Sequence, residues 1–301
     1  MKILSCLLIG LAFSATLPYF YHTTEEVLER IKDLRCSSLK VVEEGEVHVV
    51  RIGFEGKCKG FFVFGEHPRE LISVELALYL IERLCEEEDG LEVELVIVVN
   101  ANPVGRRRVE NGEFCLRTNG NGVDLNRNWG AFWEKTSCEG NKQVCSGPEA
   151  YSEAETKKMK ELFEGFSPSL FVSVHSGIDS MMYAYAYTEA SIDPNTEKDL
   201  KSFLKSVKSE AGLFSEIGQT SVILNYLASG TCLDYAYSKS VPHSFAFEIY
   251  QEPSHSTLQV ALNSQDSDCF SIFNPKTHKA YLDTLEKWTK ALKSSISLAC
   301  N

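Results

Sequence analysis

Five short runs of this chain are almost wholly apolar: Gly60 to Phe64, Glu92 to Val99, Leu170 to Val174, Met181 to Tyr185 and Ser244 to Ile249. Runs of this length, rich in Val, Ile and Phe, read as strands buried on both faces. Lys40 to Val42 and Val47 to Phe54 add two strands of weaker pattern. Between them, helical spacing of apolar positions predicts helices over Pro68 to Glu87, Ser152 to Phe166, Thr196 to Gly212, Thr231 to Ser238 and Pro275 to Leu298. The alternation predicts a single α/β domain with a central mixed, mostly parallel twisted sheet covered by helices on both faces. Pro68 is expected at the first position of its helix, and Asn274-Pro275 repeats that signal. Ser152 and Glu155 read as a capping box. Segments 100–150 and 251–274 are long and irregular, and loops of that length are expected to wall a site.

The first residues change the picture of where the chain acts. One Lys, an apolar stretch from Ile3 to Phe13 and small residues at Ser14 to Thr16 form the grammar of a signal peptide over residues 1–16, with a buried N-terminal helix as the alternative. The domain proper would then be residues 17–301, in a secreted or secretory-lumen protein. No later window reaches the roughly 20 apolar residues of a membrane helix, so membrane insertion is not expected. Ten cysteines fit an oxidising compartment, and nine remain if Cys6 leaves with the signal. Cys138 with Cys145, and Cys58 with Cys85, are the pairings suggested by position along the chain. A net charge of −12 argues against nucleic acid as a partner.

Candidate chemistry sits at the ends of the apolar runs. His67 and Glu70 follow GFFVFG and stand three residues apart at a strand-to-helix corner. His175 closes SLFVSV, and Glu248 closes SFAFE. Two imidazoles and one carboxylate leave an open fourth position on a metal, a donor set that suits catalytic zinc, and Glu248 remains as a spare carboxylate. Taken alone, a His-x-x-Glu pair is weak, and a solvated His beside a helix-start carboxylate is its ordinary explanation. The other histidines, His22, His48, His243, His255 and His278, read as surface or structural residues.

The neighbouring segments carry more weight. Gly65-Glu66-His67-Pro68-Arg69-Glu70, Asn102-Pro103-Val104-Gly105, Gly122 to Trp129, Ser146 to Glu153, Val174-His175-Ser176, Tyr226 to Gly230 and Phe247-Glu248 occur in this order. Together they resemble the M14 zinc carboxypeptidase family along nearly the whole chain after residue 16. The resemblance implies one zinc ion held by His67, Glu70 and His175, with Glu248 as general base and acid. It implies Arg117 as the oxyanion stabiliser, with Arg106, Arg107 and Arg108 as rivals. Asn126 and Arg127 would clamp the substrate's terminal carboxylate, Arg69 would assist, and Tyr226 would close over the substrate. Asp124 would orient His67 through its second ring nitrogen. The implied substrates are peptide or protein C-termini and the implied state a monomer, with no room for the prodomain or the β-sandwich appendage of some members.

The same resemblance places Leu233 at the floor of the specificity pocket, with Ser221, Asn225, Ala228, Thr231 and Ala246 around it. None is charged, so a neutral, apolar terminal residue is the expected substrate. Two other readings share these residues: a zinc amidase or deacylase acting on non-peptide amides with a free carboxylate, and a non-catalytic binding protein on the same scaffold.

Overall fold

A computed structural model describes residues 17–53, 58–87, 93–139, 142–252 and 266–300. Within these lie eight strands: β1 (Leu39–Glu44), β2 (His48–Ile52), β3 (Cys58–Phe64), β4 (Val93–Asn100), β5 (Leu170–His175), β6 (Asp179–Tyr183), β7 (Glu216–Gln219) and β8 (His243–Ile249). They form one sheet in the order β1-β2-β4-β3-β5-β8-β6-β7. The central strands β4, β3, β5 and β8 run parallel, and antiparallel pairings flank them at β2 with β4 and at β6 with β8.

The parallel centre explains the unbroken apolar runs, because alternate residues of each strand are buried on opposite faces. Phe61, Val63, Val96, Val98 and Phe171 pack on one face with Met159, Phe163 and Phe166 of helix α4 (Ala154–Phe166). Phe62, Phe64, Ile97, Val172, Phe245 and Phe247 face the other side. There they meet α2 (Leu71–Glu86), α5 (Pro194–Ala211) and α9 (His278–Cys300). The remaining helices are α1 (Thr24–Asp33), α3 (Pro103–Glu110), α6 (Thr220–Leu224), α7 (Cys232–Ser238) and α8 (Asp266–Phe273). No helix among the described residues is long and apolar enough to cross a membrane.

Several local expectations fail for physical reasons. Pro68 does not open α2, which begins at Leu71, because residues 66–70 make a turn that delivers His67 and Glu70 sideways. Gly65 makes that corner possible: its φ is +71°, and a Cβ there would stand 2.8 Å from Val74 Cγ2. Asn274 does not open α9. Its Oδ1 instead accepts the Ile72 N–H at 3.0 Å, and its amide donates to Arg69 O, so it caps α2 from across the molecule. Ser152 and Glu155 form no capping box; Glu153 is the N-cap residue of α4 and makes no side-chain cap bond. The Glu153 carboxylate accepts from Asn119 and Asn121, which fixes the loop ahead of the helix instead. The two segments read as irregular contain α3 and α8, and α1 and β7 lacked a clear signal.

Four disulfides staple this frame: Cys36–Cys85, Cys58–Cys300, Cys115–Cys269 and Cys138–Cys145. The local pair is as expected from the sequence. Cys58 pairs with Cys300 rather than Cys85, because β3 lies beside the end of α9 while α2 returns toward Cys36. The remaining described cysteine, Cys232, is a buried free thiol.

Candidate metal centre

The parallel strands β3, β5 and β8 end along one edge of the sheet, and their C-terminal ends build the site, as open α/β sheets generally do. His175 and Glu248 are direct register partners across β5 and β8. His67 and Glu70 arrive from the turn after β3. The ligand atoms of His67, Glu70 and His175 all lie within 4.8 Å of one another, and all three residues are buried.

Both histidines turn Nδ1 inward. His67 Nδ1 stands 2.8 Å from Glu70 Oε1, and His175 Nδ1 stands 3.2 Å from Glu70 Oε2 and 3.2 Å from His67 Nδ1. Two imidazole nitrogens facing each other across a carboxylate bring acceptor atoms together at the centre of the cluster. A cation there satisfies all three groups, and the mixed nitrogen and oxygen donors suit zinc. Burial raises the Glu70 carboxyl, but the His67 and His175 rings outweigh it and hold the group well below the usual carboxylate range. Glu70 is therefore ionised, the form a metal requires.

Behind His67, its Nε2 stands 3.1 Å from Asp124 Oδ1. Arg117 Nε donates to the other Asp124 oxygen at 2.8 Å, and Arg117 Nη1 stands 3.3 Å from His67 Nδ1. Burial of Asp124 is outweighed by the Arg117 guanidinium, which holds its carboxyl well below the ordinary value. Asp124 sits ahead of a 3-10 turn, Leu125–Arg127, whose first free amide it caps. That turn presents Asn126 and Arg127 to the cavity.

One cavity is lined by His67, Glu70, Arg117, Asn126, Arg127, His175, Tyr226, Leu233 and Glu248. Met182, Ala186, Leu224, Ala228 and Ala246 form its apolar end, with Thr220 and Thr231 among them. Ser221 and Asn225 are not part of it: the Ser221 hydroxyl donates to Thr188 O, and Asn225 ends α6 in the left-handed conformation, exposed. Arg69 lies outside it too, stacked 4.1 Å over the Phe273 ring with Nη1 donating to Gln143. Of the rival arginines, Arg106 is buried in ion pairs with Glu75 and Glu110, Arg107 pairs with Glu25 and Arg108 with Glu113. None faces the cavity.

Glu248 opens partly to the cavity, while its Oε2 is buried without a hydrogen-bond partner among the described residues. Burial, then the Glu70 carboxylate, push its pKa up to about 7. Tyr226 is 38% exposed on the loop after α6, at the mouth. Gly230 in that loop approaches the Arg127 backbone so closely that a Cβ would stand 2.4 Å from Arg127 O.

Sequence reading passed over Glu66, Ser173, Cys232 and Asp234. Glu66 is buried next to His67, with its carboxylate set against Ser173, Cys232 and the Nε2 edge of His175. Ser173 lies two residues before His175, so strand alternation puts both on one face; that period was the available signal. Burial, aided by Glu66, pushes the Cys232 thiol up to about 12. The Asp234 carboxylate, beside Leu233, accepts the Ala186 and Tyr187 amides.

Fold and site together define an α/β protein with a buried two-histidine, one-carboxylate centre at the ends of parallel strands. Residues 21–276 match the zinc carboxypeptidase family, and the chain belongs to it. Carboxypeptidase A1 of Bos taurus is 26% identical over 266 residues, covering 76% of this chain and 62% of the relative. Carboxypeptidase A2 of Mus musculus is 27% identical over 272 residues, with the same shares. The chain thus spans about 62% of the length of these curated relatives. Bovine thrombin-activatable fibrinolysis inhibitor, solved in complex with tick carboxypeptidase inhibitor, shares the fold with a TM-score of 0.78 at 18% identity, over 93% of this chain and 97% of that one. Carboxypeptidase A from Helicoverpa armigera follows at 0.69 and 21%, over 92% and 74%.

Proposed function

We propose that this chain is a secreted zinc-dependent carboxypeptidase, exported by the signal segment 1–16 and acting as a monomer on peptide or protein C-termini. It removes single neutral or apolar terminal residues. The observation that carries this reading is the company Glu248 keeps: an unpartnered carboxylate shares one cavity with the three-donor cluster and with Arg127.

His67, Glu70 and His175 would hold one zinc ion, whose role when bound is to polarise the scissile carbonyl and acidify water. Glu248, with its pKa near 7, takes the proton of the attacking water and returns it to the leaving amine. Arg117, its Nε held by Asp124, would set its guanidinium charge beside the charge that develops on the carbonyl oxygen. Arg127 and Asn126 bind the terminal carboxylate, for which a guanidinium fork is the matching shape. Tyr226 covers the bound residue from the mouth. Leu233, Ala228, Ala246 and Met182 receive its side chain, and burying an aliphatic or aromatic group there gains roughly 1.5 to 3 kcal/mol.

The test pairs a chelator with a peptide-library digest. Activity lost to the chelator, restored by zinc and confined to neutral C-terminal residues is the expected result. In Glu248→Gln, turnover falls by about 10²- to 10⁴-fold while zinc content is unchanged. Undiminished turnover in that variant, a preference for terminal Arg or Lys, or insensitivity to chelation each contradicts the reading.

A further inference from the structure

Glu66 has no part in the chemistry above, yet it is buried on the side of His175 that faces away from the ligand cluster. Its Oε2 accepts from Ser173 Oγ at 3.2 Å and from Cys232 Sγ at 3.3 Å, and stands 3.4 Å from His175 Nε2. Its Oε1 accepts from Trp129 Nε1 at 3.2 Å. Ser173 Oγ in turn stands 2.6 Å from His175 Nε2. An ionised carboxylate only accepts, so the single hydroxyl hydrogen of Ser173 points to Glu66. The Ser173 oxygen then faces His175 with a lone pair, and Nε2 must carry the hydrogen. Asn126 Nδ2, a donor 3.2 Å from the same nitrogen, would suit a bare Nε2, but the Ser173 oxygen at 2.6 Å is the nearer partner and sets the tautomer.

From this relay we infer that Glu66 is a positioning residue: through the Ser173 hydroxyl it holds His175 in the Nε2–H tautomer, with the Nδ1 lone pair aimed at the metal cluster. This rests on the proposed reading of His67, Glu70 and His175 as ligands. Buried partners of this kind orient a ligating imidazole and raise its basicity. Asp124 does so for His67, and Glu66 supplies the equivalent for His175.

Glu66→Gln is the informative change because it keeps the shape and reverses the polarity. Trp129 N–H holds the amide oxygen, so the amide nitrogen turns to Ser173, whose hydrogen then points at Nε2 and forces the hydrogen onto Nδ1. Zinc affinity of the full chain, measured by competition with a chelator of known strength, should fall by about 10- to 100-fold. The visible absorption of the cobalt-loaded chain should shift as well. Ser173→Ala, which cuts the relay without touching the charge, serves if Glu66→Gln fails to fold and should also weaken zinc. Cys232→Ala leaves the relay intact and should not. Unchanged affinity and spectrum in both relay variants, beside tight wild-type binding, overturns this inference alone. A wild-type chain that takes up no zinc overturns the ligand reading, and this inference with it. Glu66, His175 and Cys232 could themselves gather round an ion. Two zinc ions per wild-type chain and one in Glu66→Gln would make Glu66 a ligand and overturn its positioning role.

Discussion

Two buried arginines share the cavity, and their partners separate their tasks. Arg117 is already neutralised by Asp124 at 2.8 Å, so it is a fixed dipole more than a free cation. Arg127 donates to its neighbour's carbonyl, Asn126 O at 2.7 Å, and has no carboxylate at ion-pair distance among the described residues. A buried guanidinium left unpaired is costly, and on the proposed function a substrate's terminal carboxylate would repair that deficit. Arg127→Ala should therefore lower kcat/KM by about 10- to 150-fold, the equivalent of one charge-assisted hydrogen bond of about 1.5 to 3 kcal/mol. Steady-state kinetics with a substrate of free C-terminus measure it, and an amidated peptide should show no such difference. Asp234 belongs to the same scale. Burial pushes its carboxyl up to about 6 from an ordinary 3.8, against the opposing pull of the Ala186 and Tyr187 amides. The folded chain thus holds this proton more tightly than the unfolded chain. Its contribution to stability is full below about pH 4 and lost as pH rises through 6. The loss is on the order of 3 kcal/mol. Asp234→Asn should flatten that part of the stability profile, read as the thermal midpoint between pH 4 and pH 7.

Among the elements, α8 and the loop carrying Arg117 matter most, and they are joined by Cys115–Cys269. The bond spans 154 residues of sequence. Replacing both cysteines by Ser should cost roughly 2 to 5 kcal/mol of stability. Because Leu116 O accepts the Arg69 N–H and α8 supplies Phe273 to the cavity, the loss should also reduce turnover at temperatures where the protein stays folded. Equal turnover by the double variant and the parent would show that the staple acts on stability alone. The elements legible in the sequence were those with a strong period. Phe61 to Phe64 in β3 and Leu95 to Val99 in β4 could only be buried strands. By contrast α1 is ten residues, capped by Thr23 and Glu26, and buries only Thr24, Val27 and Ile31, too thin a stripe to stand out beside charged neighbours. In α3 the run Arg106 to Arg108 looks solvated, whereas Arg106 is buried because Glu75, from another helix, receives it. The site followed the same division. His67, Glu70, His175 and Glu248 stand at the ends of readable strands, whereas Glu66 acquires meaning only when the folded chain sets it behind His175.

At the scale of the whole molecule, the three-donor cluster would, with zinc bound, also be a folding element. It joins the turn after β3 to the end of β5, with Glu248 of β8 alongside, and so ties together the C-terminal edge of the sheet. Every residue of the cluster is buried, and the two facing imidazole nitrogens stand 3.2 Å apart beside the Glu70 carboxylate. A ligand that binds only the folded chain stabilises it in proportion to the logarithm of its concentration over its dissociation constant, about 4 kcal/mol at a thousandfold excess. The unfolded chain offers no such cluster, since Glu70 and His175 are 105 residues apart. The thermal midpoint should therefore rise with free zinc and fall after chelation, by roughly 2 to 4 °C per kcal/mol for a chain of this size. Magnesium, which prefers six oxygen ligands, should produce no such shift at the same concentration. The four disulfides survive chelation, so the metal-free chain should remain folded and recover its midpoint when zinc is returned. An unmoved midpoint across that titration would mean that the cluster does not bind zinc in the folded protein, whatever its geometry.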